Sequence, residues 1–247
     1  MGTSIMITSG KGGTGKTSLT AAVASCLAAL GYRVLCVDLD IGLRNLDIAL
    51  GLTDRAMMDF SDVIAGRCTL EQAVVRHPKL PHLYLLTAPV YVKAQQIPEE
   101  GMHRLLEEIR QSFDFCLIDA PAGLGQGFHL ATDRADRAVV VSTADNTSLR
   151  DAQRAVLELG HLPRGQVHLA INRIQKKVLR QLHQTIDDAM DAAGLPLLGV
   201  IPEDPSVPLA ANRNLPLLLT TEDHAAKAYR NIAARLTGQR IPLMKIR

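Results

Sequence analysis

Hydrophobic residues fall along this chain in short unbroken runs rather than in strict alternation with polar ones. The runs at 5–8, 33–38, 83–87, 115–119, 138–142, 167–172 and 197–201 are rich in Val, Ile and Leu. Such runs, bounded by turn residues, predict strands buried on both faces. Helical stretches lie at 19–30, 98–112, 147–160, 175–193 and 222–237. The first is alanine-rich, lacks Pro and Gly, and is followed by Gly31, a good helix terminator. Strands separated by helices predict an α/β fold, a doubly wound, mainly parallel sheet with helices on both faces and right-handed crossovers. No repeat or low-complexity linker interrupts the series. One domain is expected over 1–237, followed by a short tail at 238–247.

Composition narrows the class. Of 247 residues, 47% are hydrophobic, ample for one large core, but only 3% are aromatic. Few rings and a net charge of only +2 argue against a base-stacking or strongly basic surface, so nucleic acid is not an expected partner. Cys26, Cys36, Cys68 and Cys116 form no Cys-x-x-Cys pair, which gives no zinc or cluster signal. They read as reduced thiols of a cytoplasmic protein. The first strand begins too early for a signal peptide, and no apolar run reaches membrane-spanning length.

The chemistry begins directly after the first strand. Ser9-Gly10-Lys11-Gly12-Gly13-Thr14-Gly15-Lys16-Thr17-Ser18 fits the phosphate-binding P-loop pattern, with a strand before it and a helix after it. Glycines let backbone N–H groups converge on phosphate oxygens, and the helix N-terminus adds partial positive charge. Gly10 through Ser18 are therefore candidate nucleotide contacts. Lys16 is expected at the β/γ-phosphates and the Thr17 hydroxyl on Mg²⁺. Lys11, a second lysine in the loop, is more than one subunit's phosphate binding requires.

Strand ends supply the other candidates, since ligands of such sheets bind beyond the carboxyl ends. Asp38 and Asp40 close the second strand and point the same way if it continues, one toward a metal and one toward a water that attacks the γ-phosphate. Asp119 ends an apolar strand in the Walker B manner and is a candidate for the Mg²⁺ shell. Asn172 can donate and accept at a purine edge, with Pro202, Glu203 and Asp204 on the other side of the base.

The Lys-Gly-Gly-x-Gly-Lys-Thr spelling resembles the deviant Walker A ATPases, the family of MinD and ParA. Asp38-Leu39-Asp40-Ile41-Gly42-Leu43-Arg44-Asn45-Leu46-Asp47, Asp119-Ala120-Pro121-Ala122-Gly123, Leu149-Arg150-Asp151 and Val200-Ile201-Pro202-Glu203-Asp204 extend the resemblance to about positions 3–236, toward the MinD branch that places the division septum. The resemblance implies Mg²⁺-dependent ATP hydrolysis in a nucleotide-sandwich homodimer, with Lys11 crossing the interface and Asp40 aligning the attacking water. It implies a surface, with Arg44 and Asp151 as candidates, for a MinC-like inhibitor and a MinE-like or other activator. It also implies a cytoplasmic protein that visits the inner face of the cell membrane. The family usually ends in an amphipathic membrane-targeting helix, whereas residues 240–247 are short, contain Pro242 and lack aromatics. Weak contact with anionic membrane is the expectation for that tail.

Other readings share the motif. A ParA-type DNA-segregation ATPase would use Arg173, Lys176, Lys177, Arg180 and His183 as a basic stripe. A metabolic enzyme with the same loop would release phosphate only with its substrate. A flagellar-number regulator would be expected to carry a further helix ahead of the first strand.

Overall fold

The computed structural model describes residues 1–132, 134–163, 165–181 and 185–244. An eight-stranded sheet forms the middle layer, in the order β3-β4-β2-β5-β1-β6-β7-β8. The strands are β1 Thr3–Thr8, β2 Val34–Asp38, β3 Val75–Arg76, β4 Leu83–Leu86, β5 Phe115–Asp119, β6 Arg137–Ser142, β7 Val167–Ile174 and β8 Leu197–Pro202. Every pairing is parallel except β3 with β4 at one edge. Chain order reverses around β1, with β5 on one side and β6 on the other. The crevice beyond its carboxyl end is where such a sheet binds ligands.

The helices are α1 Lys16–Ala29, α2 Leu46–Leu50, α3 Phe60–Ile64, α4 Leu70–Ala73, α5 Glu99–Ser112, α6 Gln126–Thr132, α7 Asn146–Glu158, α8 Lys176–Gln181, α9 Ile186–Ala193, α10 Ser206–Asn212 and α11 Ala225–Leu236. Alternation along the strands feeds two cores. Met6, Val37, Ile118 and Val140 face α5, α7 and α9, while Ile5, Ile7, Cys36 and Leu117 face α1 and α11. α1 is buried nearly all round because it packs on the sheet and is flanked by α2 and α11, which is why its sequence shows no polar stripe.

The expected stretch 175–193 divides into α8 and α9. Thr185 and Asp188 form a capping box that starts α9 afresh, and Gly194 ends it at φ +67°. Several short elements carry too few residues for a periodic signal: β3, α2, α3 and α4. α10 holds Pro208 in its first turn, where no intrahelical N–H is lost. All four cysteines are unpaired thiols, with Cys68 half-buried and the others buried. Among the described residues no helix is long and apolar enough to cross a membrane.

Candidate functional site

The loop after β1 turns sharply and delivers Lys16 as the first residue of α1. Gly13 and Gly15 adopt φ of +78° and +94°, which side chains rarely tolerate. A Cβ on Gly10 would fall inside the backbone carbonyl of Asp151, so the loop lies directly against α7. A Cβ on Gly15 would strike the Asn172 amide.

Lys16 is buried, and its Nζ donates to Ser9 Oγ at 3.0 Å. Burial lowers its pKa, while the carboxylates of Asp119 and Asp40 pull it back up. Asp119 and Asp38 sit level with each other on neighbouring strands β5 and β2, both buried. Burial raises Asp119 to about 6 against hydrogen bonds from Thr17 and Thr20 and the charge of Lys16. The Thr20 hydroxyl lies 3.1 Å from Asp119 Oδ1. Asp40 borders the cavity, with its pKa raised by burial and opposed by Lys16.

Asp38 serves the loop that follows it. Its Oδ1 accepts the Asp40 N–H at 2.9 Å and its Oδ2 accepts the Leu46 N–H at 3.2 Å. Burial and the charge of Asp119 nevertheless raise it to about 7. Each oxygen thus holds one backbone N–H and keeps a further lone pair, so the expected approach to a metal is compatible with these bonds.

A cavity of about 400 Å³ opens above these groups. One end is walled by Gly12, Gly13 and Gly15 to Ser18 of the P-loop, with Asp40. The other is walled by Asn172, Arg173, Pro202, Glu203, Asp204, the α10 residues Val207, Pro208 and Ala211, and Tyr229 of α11. Asn172 holds the loop in place: its Nδ2 donates to the Thr14 carbonyl at 2.8 Å and its Oδ1 accepts the Arg173 N–H at 2.9 Å. Asp204 joins two helices by accepting the N–H groups of Ser206 (2.9 Å) and Ala225 (3.1 Å). Burial pushes the Asp204 carboxyl up, but hydrogen bonds from Ser206 and Ala225 bring it below the usual range. Tyr229, Val207, Pro208 and Ala211 were not legible as site residues, because their apolar character signalled only a core.

Lys11 stands exposed on the loop; burial pushes the Asp145 carboxyl up, but the Thr143 and Ser148 hydrogen bonds and then the Lys11 charge bring it below the usual range. Arg44 pairs with Asp47 at 3.4 Å, and Asp151 lies 3.9 Å from Arg154. Of the basic stripe, Lys176, Lys177 and Arg180 are exposed on α8, and His183 lies outside the described residues. Arg173 instead turns into the cavity.

The site fits a nucleoside triphosphate with Mg²⁺. A buried lysine and glycine-exposed backbone suit phosphates, and the buried Thr14 hydroxyl has no partner of its own. Among the described residues no group of three or more His, Cys, Asp or Glu can cage a metal alone. That is the usual state for Mg²⁺, which is shared between a carboxylate and substrate phosphates.

Fold and site together define a P-loop nucleotide-binding protein with the two-lysine loop. The family model described as CobQ/CobB/MinD/ParA nucleotide binding domain matches residues 5–217, and the chain belongs to that family. It is 39% identical to the septum site-determining protein MinD of Bacillus subtilis over 249 residues, 98% of this chain and 92% of that one. It is similar to the structure of the MinC:MinD cell division complex of Aquifex aeolicus, at 37% identity, TM-score 0.90 and 98% of both chains. It is also similar to MinD of Pyrococcus horikoshii complexed with Mg-ADP, at 30% identity, TM-score 0.83 and 96% of both chains.

Proposed function

We propose that this protein is a MinD-type switch ATPase that acts in division-site placement. It dimerises on ATP, hydrolyses it to ADP and phosphate with Mg²⁺, and then separates. The observation that carries this reading is Lys11, exposed beside a complete P-loop in a chain that resembles MinD nearly end to end. Two facing triphosphates repel unless cations bridge them, and Lys11 is free to reach a partner's nucleotide.

Lys16 holds the β/γ-phosphates from within its own subunit. Thr17, Asp119 and Asp38, which sits level with Asp119 on the next strand, would hold Mg²⁺, and Asp38 also fastens the loop that carries Asp40. Magnesium, when bound, would supply positive charge that offsets the negative charge of the phosphates during transfer. Asp40 orients the attacking water. Asn172, Pro202, Glu203 and Asp204 line the base subsite.

Arg44 and Asp151 belong to a surface for a MinC-like inhibitor and a MinE-like activator. Asp151 suits this role because its backbone abuts Gly10, which ties that surface of α7 to the nucleotide loop. The protein works in the cytoplasm and at the inner face of the membrane, with residues 240–247 in weak contact with anionic lipid. Phosphate release with Mg-ATP and light-scattering mass in ATP against ADP test the reading. A monomeric mass in both nucleotides, with no phosphate released, refutes it.

A further inference from the structure

Arg173 is held in a backbone conformation that arginine rarely adopts, φ +58°. It lies at an irregularity in the β7–β8 ladder, where Ile171 pairs with Val200 but the next register is Ile174 with Pro202. The irregularity leaves Arg173 without a partner in that ladder, although it lies within β7. Its side chain then reaches two walls of the nucleotide cavity. Nη1 donates to the Gly13 carbonyl at 3.2 Å, on the phosphate loop. Nε lies 3.4 Å from Glu203 Oε2, on the β8 side. The Glu203 N–H is fixed to the Ile174 carbonyl at 3.0 Å, so this anchor is built into the same irregular ladder. Left-handed backbone at a bulky residue persists where the surroundings impose it, and such residues gather at ligand clamps.

We propose that Arg173 is a strap across the mouth of the base subsite, closing behind a bound adenine nucleotide and setting how long it stays. The proposal rests on the nucleotide reading of the cavity. Both anchors suit this work. The Arg173 and Glu203 side chains remain 55% and 38% exposed, and exposed ion pairs are weak enough to part and re-form. A guanidinium is planar and carries only donors, so it can lie on a base face or meet ribose and ring acceptors. A lysine offers a point charge without the plane.

The experiment measures release of radiolabelled ADP from the full chain after dilution into excess unlabelled ADP. Arg173→Ala should release ADP roughly tenfold faster with little change in association rate. Arg173→Lys should fall between. Arg173→Gly should release ADP as fast as Arg173→Ala yet melt no lower than wild type, because glycine removes the backbone strain. Pyrophosphate affinity should stay within about twofold of wild type in all three, since the strap closes on the base side. Release by both the Ala and Gly variants at the wild-type rate overturns the strap. Equal losses for pyrophosphate and ADP overturn it too, because they place the effect in the P-loop. Wild-type protein that captures no ADP overturns the nucleotide reading itself.

Discussion

Gly10 and Gly12 look alike in the motif, yet alanine at each should do opposite things. At Gly10 the added Cβ falls inside the Asp151 carbonyl and 2.8 Å from the Asp151 Cβ. The obstacle is helix backbone, so the P-loop or α7 has to move. Overpacking of this kind costs about 1–3 kcal/mol. For a domain of this size each kcal/mol lowers the melting temperature by roughly 2–4 °C, so Gly10→Ala should melt about 2–12 °C below wild type. At Gly12 the nearest atom is the Ala122 Cβ at 3.8 Å, an ordinary contact, and the backbone is not left-handed. Gly12→Ala should therefore hold its stability or gain about 0.4–1 kcal/mol by restricting the unfolded chain. Gly12 lines the cavity, however, where close approach of phosphate needs a bare backbone. Nucleotide affinity should fall at least about tenfold, the equivalent of about 1.4 kcal/mol. Scanning calorimetry without nucleotide and ADP titration calorimetry separate the two effects. If Gly12→Ala melts as low as Gly10→Ala, or Gly10→Ala melts with wild type, the packing of the loop on α7 is misread.

Four further outcomes are expected. Lys11→Ala should remain monomeric in ATP by light scattering; a dimer of wild-type mass would show that the lysine does not bridge subunits. Asp40→Ala should bind ATP but hydrolyse it at least about a hundredfold more slowly, whereas Lys16→Ala should lose affinity itself; wild-type kcat in Asp40→Ala removes its role with the water. His77 is buried, with Nδ1 accepting the N–H groups of Lys79 (3.1 Å) and Leu80 (2.9 Å), and burial, then the Arg55 and Lys79 charges, hold its pKa below the usual 6.5. The unfolded chain then protonates first, so stability is complete above about pH 6.5 and falls below it, and urea midpoints of His77→Gln should show a shallower acid slope than wild type. Arg235 holds the tail through the carbonyls of Ile241 (3.0 Å from Nη2) and Pro242 (2.9 Å), so Arg235→Ala should speed tryptic cleavage after Arg240; an unchanged rate means the tail is held elsewhere.

The parts of the site that sequence reveals are those in which a residue and its task are close in the chain. The P-loop is such a case: glycines, lysine and threonine act within ten residues of one another. Asp119 is legible because an apolar strand ends on it. Asp38 illustrates the limit, since its type and spacing suggest a ligand but not that its two oxygens also hold the N–H groups of Asp40 and Leu46. Asn172 was legible as a strand-end amide but not as the brace under Thr14, which is 158 positions away. Arg173 read as one cation in a basic stripe because nothing local announces a left-handed backbone. The division of 175–193 was written locally in Thr185 and Asp188, but the helical composition around them masked it.

One helix bears on both ends of the molecule's business. Tyr229 of α11 lines the cavity, and Arg235, six positions on, grips the tail and the Leu198 carbonyl of β8 (2.7 Å). At 1.5 Å per residue the two grips are about 9 Å apart along the axis. Cavity wall and tail are thus linked in series, like two hands on one rod. The helix that lines the nucleotide cavity is therefore the same one that moors the chain beyond it.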